Sequence, residues 1–213
     1  MTPTPAELAD ARGAKSELRA TVIAKRANRP SPERTAIGAA IADAFNAEFG
    51  ARFRGATPPP IVATYLSTST EPDTAHLNAL LAELGVTTLA PVLTDDGDLD
   101  WALVTSATGA TGGVPGLRGT REPIGPRLGH HHLANADVVL VPALAVDGDG
   151  HRLGRGGGSY DRALVRVRDA TVVLAVVHDD EVLEAVPVEP HDRRVDGVLT
   201  PSGVQYFATA GRA

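Results

Sequence analysis

Two aliphatic, β-branched runs, Asp137 to Val146 and Thr171 to Val177, limit what this chain can fold into more than any other feature. Neither alternates apolar with polar residues, so each predicts a strand buried on both faces. Between them lies a helix-like stretch, Tyr160 to Arg168, long enough to carry the chain back in parallel. A βαβ unit of this kind makes a parallel sheet and places the chain in the α/β class.

The connection inside that unit carries the chemistry. After a turn, Asp147-Gly148-Asp149-Gly150, comes Arg152-Leu153-Gly154-Arg155-Gly156-Gly157-Gly158-Ser159-Tyr160-Asp161. Four glycines in five positions remove the Cβ atoms that would keep a ligand from the backbone, so successive N–H groups can converge on an anion. Arg152 and Arg155 add fixed charge, and a helix starting at Tyr160 would add a positive dipole end. The dinucleotide fingerprint would need glycine where Ser159 stands, and the Gly-Lys step of the Walker loop occurs nowhere in the chain. The loop therefore reads as a phosphate site of another kind.

Other elements follow from local pattern. Helices are predicted over Gly13 to Asn28, over Ser31 to Phe49 with Ser31 as N-cap, and over Asp73 to Leu84 with Asp73 as cap and Gly85 as stop. Residues 1 to 12 read as a frayed start, and 55 to 60 as an extended Pro-rich linker. Ile61 to Ser67, Val86 to Leu93, Leu99 to Val104 and Gly197 to Thr200 complete the strands. The acidic cluster Asp95, Asp96, Asp98 and Asp100 lacks the spacing of a calcium loop and reads as a hairpin turn. Gly109 to Gly129 reads as an irregular loop, and Trp101 as core or pocket wall.

Lys15, Arg19 and Arg26 fall within about 40° on the first helix and form either a solvated charged face or an anion clamp. Glu71, beyond the carboxyl end of a strand, is either a group for a polar heterocycle or a solvated residue before a helix. Asp161 reads as a first-turn acid favoured by the helix dipole, and Asp192 as a partner of Arg193 or Arg194. His130, His131 and His132 are adjacent, cannot all face one ion on a regular element, and read as an exposed cluster.

With 213 residues and 43% hydrophobic content the chain can bury one sizeable core, so a single domain is expected, a helical part over 5–50 and an α/β core over 60–205. A formal charge of −6 speaks against a nucleic-acid partner, and the lack of an 18-residue apolar run speaks against a membrane. A cytoplasmic monomer is the expectation. Zero cysteines exclude disulfides, thiolate nucleophiles and Cys-type zinc sites.

In chain order, Lys15-Ser-Glu-Leu-Arg19, Ser67 to Glu71 with Asp73-Thr74, Glu122-Pro123, Val141 to Asp147, Arg152 to Arg162, His191-Asp192 and Val195-Asp196 together resemble the 5-formyltetrahydrofolate cyclo-ligases. The Arg-Leu-Gly-Arg-Gly-Gly-Gly-Ser-Tyr-Asp-Arg run is the specific part. The resemblance implies a three-layer sandwich with a mostly parallel central sheet flanked by helices. It also implies conversion of 5-formyltetrahydrofolate to 5,10-methenyltetrahydrofolate with ATP as co-substrate and Mg²⁺ as cofactor. By the family pattern, Lys15, Arg19 and the loop Arg152 to Tyr160 hold ATP. Leu66, Glu71 and Arg155 to Ser159 hold the folate, Asp161 and Asp192 hold the metal, and Arg155 stabilises the transferring phosphoryl group. Ser159 stands where many members carry tyrosine, and Gly157 where some carry lysine. A sugar-phosphate isomerase or coenzyme A transferase-like enzyme, with Glu71 or Glu122 as base, and a non-catalytic binding module are the rival readings.

Overall fold

The computed structural model describes residues 4–105 and 113–208. Seven strands form the main sheet, in the order β12 (Gly203–Tyr206), β11 (Gly197–Thr200), β9 (Val172–Val176), β6 (Val138–Pro142), β1 (Ile61–Ala63), β2 (Thr87–Leu93) and β3 (Leu99–Leu103). The inner five, β1, β2, β6, β9 and β11, run parallel. β3 and β12 close the edges antiparallel. β12, absent from the sequence reading, is short and partly exposed, so it carries little apolar pattern to detect.

Successive residues of the buried strands supply opposite faces, as a period of two requires. Val139, Val141, Val173 and Ala175 join Leu89 and Trp101 in one cluster. Val138, Leu140, Leu174 and Val176 join the other, with Ile41, Phe45, Leu77 and Leu81. The second cluster holds α2 (Ser31–Phe45) and α4 (Ala75–Glu83), and the first holds α5 (Ser159–Leu164) and the 3₁₀ turn His130–Asn135. Helices on both faces of a mostly parallel sheet give the three layers expected.

The predicted strand 137–146 divides. Pro142 has no N–H for a further ladder bond, and the chain leaves the sheet to form a small second sheet, β10-β7-β8, from Ala145–Asp147 (β7), Arg152–Leu153 (β8) and Val182–Leu183 (β10). The turn between β7 and β8 is where it was expected: Asp147 Oδ1 accepts from the N–H groups of Asp149 and His151 at 3.1 and 2.9 Å. Helix α1 (Pro5–Ala27) packs Leu18 and Val22 on this small sheet.

Helix ends differ most from the sequence reading. α1 begins at Pro5, not at Gly13, because Thr4 and Glu7 form a reciprocal capping box. Ser31 lies inside α2, whose N-cap is Pro30 and has no side-chain cap. Past Phe45 the chain makes one π-turn, Asn46–Gly50, and a last short helix, α3 (Ala51–Phe53). That wider turn keeps Phe45, Phe49 and Phe53 together on one face, with ring centroids 4.7 and 5.4 Å apart between neighbours. α4 begins close to prediction: Asp73 Oδ1 accepts from Ala75 N–H at 2.9 Å, and Gly85 ends it at a φ of +72°. The predicted loop 109–129 lies partly outside the described residues. Its described part forms a two-stranded arch, β4 (Val114–Pro115) and β5 (Arg121–Glu122).

Candidate active site

Strand order fixes where a ligand can enter. The crossover helix from β1 to β2 is α4, on one face, and the segment from β6 to β9 carries α5, on the other. β1 and β6 are neighbours, so the connections part at their carboxyl ends and leave a crevice there. A cavity of about 1430 Å³ opens at that point, lined by Tyr65 and Leu66 beyond β1 and by Pro142 and Ala143 beyond β6. The volume exceeds the roughly 300–1,000 Å³ of a pocket for one small molecule, so two ligands have room.

The glycine loop forms one wall. Gly156 and Gly158 hold φ values of +96° and +66°, which residues with a Cβ adopt only at a cost, and this bends the chain back on itself. Arginines crowd the same loop. Arg19 Nε donates to Gly154 C=O at 2.9 Å, and Arg155 Nη2 donates to Thr70 Oγ1 at 3.0 Å. Arg152, only 6% exposed, donates through Nη2 to Asp161 Oδ1 at 2.7 Å, and Arg193 N–H reaches the same oxygen at 3.0 Å. α5 is six residues long rather than the nine predicted, so the dipole at its start is that of a short helix.

Helix α1 turns its basic stripe inward. Lys15 and Arg26 are 3% and 2% exposed, and with Arg19 they line the cavity, which rules out a solvated charged face. Lys15 Nζ lies 2.6 Å from Asp192 Oδ2 and 3.0 Å from Glu189 Oε2. Arg26 spans Glu181, at 2.6 Å, and Ala143 C=O, at 2.7 Å, tying α1 to the cavity floor. Burial opposes the charge of Glu181, but hydrogen bonds from Arg26 and His178 outweigh it and hold the carboxyl below its usual range. Arg12 and Lys15 likewise hold Glu189 low. Burial pushes the Tyr160 phenol up, so it stays a hydrogen-bond donor in the physiological range.

On the opposite wall Leu66 is buried and Glu71 half-buried, and both line the cavity. Glu71 Oε2 accepts from Thr68 N–H and Oγ1 at 2.8 and 2.9 Å. Glu122 Oε1 accepts from Leu93 N–H at 3.1 Å and Thr120 Oγ1 at 3.3 Å, which fixes the β4–β5 arch to the end of β2. Arg118, Arg162 and Glu189 also line the cavity; Arg162 ends the Arg152–Arg162 run, whereas Arg118 and Glu189 come from segments that carry no local phosphate signal.

Among the described residues, the donor atoms of Glu189, His191 and Asp192 lie within 4.8 Å of one another. Two carboxylates suit a hard oxygen-seeking cation such as Mg²⁺. Asp161 lines the same cavity outside that group, engaged by Arg152. His130, His131 and His132 form no such group; His130 Nδ1 is 3.0 Å from Leu99 C=O and His131 is exposed. Among the described residues, no helix is long and apolar enough to cross a membrane.

Comparisons with known proteins bear on the family and the fold. The model of the 5-formyltetrahydrofolate cyclo-ligase family matches residues 11–201. The 5-formyltetrahydrofolate cyclo-ligase of Mycolicibacterium smegmatis is 38% identical over 192 residues, which cover 88% of this chain and 93% of the relative. The Escherichia coli enzyme of the same name is 41% identical over 73 residues, 34% of this chain and 40% of its own. The NMR structure of Aquifex aeolicus 5,10-methenyltetrahydrofolate synthetase superposes with a TM-score of 0.70 at 26% identity, covering 93% of this chain and 95% of that one. The synthetase from Mycoplasma pneumoniae superposes with a TM-score of 0.65 at 17% identity, over 88% of this chain and 98% of that one, a likeness of fold.

Proposed function

The chain belongs to the 5-formyltetrahydrofolate cyclo-ligase family and is an enzyme of the cyclo-ligase class, and from this we propose that it consumes ATP, with Mg²⁺, to activate the formyl oxygen of its substrate. The observation that carries the reading is the convergence of Arg19, Arg152 and Arg155 on a side-chain-poor loop at the sheet's switch point.

A formamide is a poor electrophile because its nitrogen lone pair is delocalised, and its oxygen is a poor leaving group. The formyl oxygen attacks the γ-phosphorus, an O–P bond forms, and the bond to the bridging oxygen breaks with its electron pair leaving on ADP. The N10 lone pair then adds to the activated carbon. The C–O bond breaks, phosphate departs, and the N10 proton passes to solvent as the five-membered ring closes. No protein nucleophile is needed, in keeping with a chain that lacks cysteine.

The protein's part is placement and charge. Gly156 to Gly158 offer backbone N–H groups to phosphate oxygens with Ser159 and Tyr160 alongside, while Lys15 and Arg19 hold the phosphate tail. Arg155, exposed and among the described residues tethered only to Thr70, is placed to meet charge that develops on the transferred group. Leu66 and Glu71 hold the folate from the facing wall, with the loop residues Arg155 to Ser159 against its other side. Asp192 and Asp161, with Glu189 beside Asp192, would hold Mg²⁺, which when bound neutralises triphosphate charge. The test is direct: mix purified protein with ATP, Mg²⁺ and 5-formyltetrahydrofolate and follow the methenyl absorbance. Product that appears only with ATP supports the reading. Binding of both ligands without product overturns it.

A further inference from the structure

Arg118 stands at the top of the β4–β5 arch with φ 52° and ψ 29°, and among the described residues it is the one non-glycine residue in the left-handed region. A Cβ-bearing residue is held there at a cost, and such strain persists where the surroundings enforce it. The arch supplies that enforcement. Glu122 ties its base to Leu93 N–H, Arg121 bridges to Leu66, and Gly116 N–H donates to Thr120 C=O at 2.9 Å.

The side chain held this way extends over the phosphate loop. Arg118 Nη1 lies 3.8 Å from where a Cβ on Gly157 would stand and 4.0 Å from the same point on Gly97, and the residue lines the main cavity. Its guanidinium meets no carboxylate or carbonyl among the described residues. Arg19 is 3.5 Å from the Cβ point of Gly156, Arg152 is 3.3 Å from that of Gly154, and Arg162 is 3.0 Å from that of Gly158. Arg152 is paired with Asp161, but Arg19, Arg118 and Arg162 meet no carboxylate among the described residues, and like charges gathered round one loop repel, so the arrangement calls for an anion of several charges.

We propose that Arg118 is a phosphate-binding residue of the active site, an arginine reaching in from the arch beside Gly157 to hold the terminal phosphoryl group of the nucleotide. The inference rests on the proposed reaction and adds a group from a separate segment, comparable to an arginine finger supplied in cis.

The test uses Arg118→Gly, which relieves the left-handed strain, and Arg118→Asn, which tolerates it. Dissociation constants are measured for a non-hydrolysable ATP analogue with Mg²⁺, for ADP with Mg²⁺ and for 5-formyltetrahydrofolate alone, with turnover and melting temperature alongside. A lost charged hydrogen bond predicts roughly tenfold weaker triphosphate binding, and lost transition-state charge about a hundredfold slower turnover. ADP and folate affinities should stay within about twofold, and the glycine variant should melt no lower than the native chain. Triphosphate binding and turnover within twofold of native would overturn the assignment. So would a loss confined to folate, which would mean Arg118 reads the substrate's carboxylates, and so would equal losses for ATP analogue and ADP or a loss of all three with a lowered melt. If the native chain bound no nucleotide, the proposed reaction would fall and this inference with it; normal native binding with unaltered variants removes this inference alone.

Discussion

Replacing Asp161 by asparagine tests how the site is held before any ligand arrives. The Asp161 carboxylate joins three segments: it accepts from Arg152 Nη2 on β8 at 2.7 Å, accepts from Arg193 N–H at 3.0 Å, and stands on α5 itself. The Arg152 side chain is 4% exposed and that of Asp161 17%, so water screens the pair weakly. Breaking a fully buried ion pair costs about 3–5 kcal/mol. Asparagine keeps a neutral acceptor of the same shape, and both groups border a cavity that water can fill, so about 2 kcal/mol is the expected loss. For a domain of this size that corresponds to a fall of roughly 4–8 °C in melting temperature. The assay is a thermal melt with and without inorganic tripolyphosphate, in the absence of divalent metal. The anion offers charge to the orphaned Arg152, so it should raise the melt of Asp161→Asn by more than it raises that of the native chain. Adding Arg152→Met should recover part of the deficit, a coupling of about 1–2 kcal/mol. A melt within a degree of native, with an identical response to the anion, would refute the reasoning.

Arg155→Ala should lower turnover by about two to three orders of magnitude with little change in melting temperature, since Arg155 is exposed; steady-state kinetics near native would remove its role. Gly38→Ala gains about 1 kcal/mol of helix propensity, but its Cβ would stand 2.9 Å from Asp73 C=O oxygen. A net destabilisation of about 1–2 kcal/mol in urea titration is expected, and a more stable variant would contradict the contact. Glu181 titrates below its ordinary value, so its contribution to stability is complete above the unfolded carboxyl value of about 4.3 and is lost as pH falls through the lower folded value. Glu181→Gln should therefore show a shallower acid limb than the native chain in stability measured against pH; limbs of equal slope would deny the Arg26 pairing that anchors α1.

Much of this architecture was legible because its signals are local. The doubly buried runs at β6 and β9 show in their β-branched composition, the glycine loop in its spacing, and the turn at Asp147 in its Asp-Gly steps. What stayed hidden depends on distance. Pro142 marks locally where the ladder must stop, but that the chain goes on into a second sheet turns on where Leu144 and Leu153 find partners: Leu144 N–H donates to Leu153 C=O at 2.7 Å. The capping box at Thr4 and Glu7 has a local signature in its Thr-x-x-Glu spacing, which the Pro/Ala composition around it masks. Lys15 and Arg26 read equally well as solvated charges until the tertiary contacts with Glu189, Asp192 and Glu181 are seen. Arg118 is beyond any periodicity argument, since its interest lies in one backbone angle and a neighbour in another segment.

A crystal structure of the protein with Mg²⁺ and a non-hydrolysable ATP analogue bears most directly on the central claim. The account predicts phosphate oxygens within hydrogen-bonding distance of the N–H groups of Gly156 to Gly158 and of Arg155. A triphosphate bound elsewhere, with the glycine loop unchanged and empty, would contradict it.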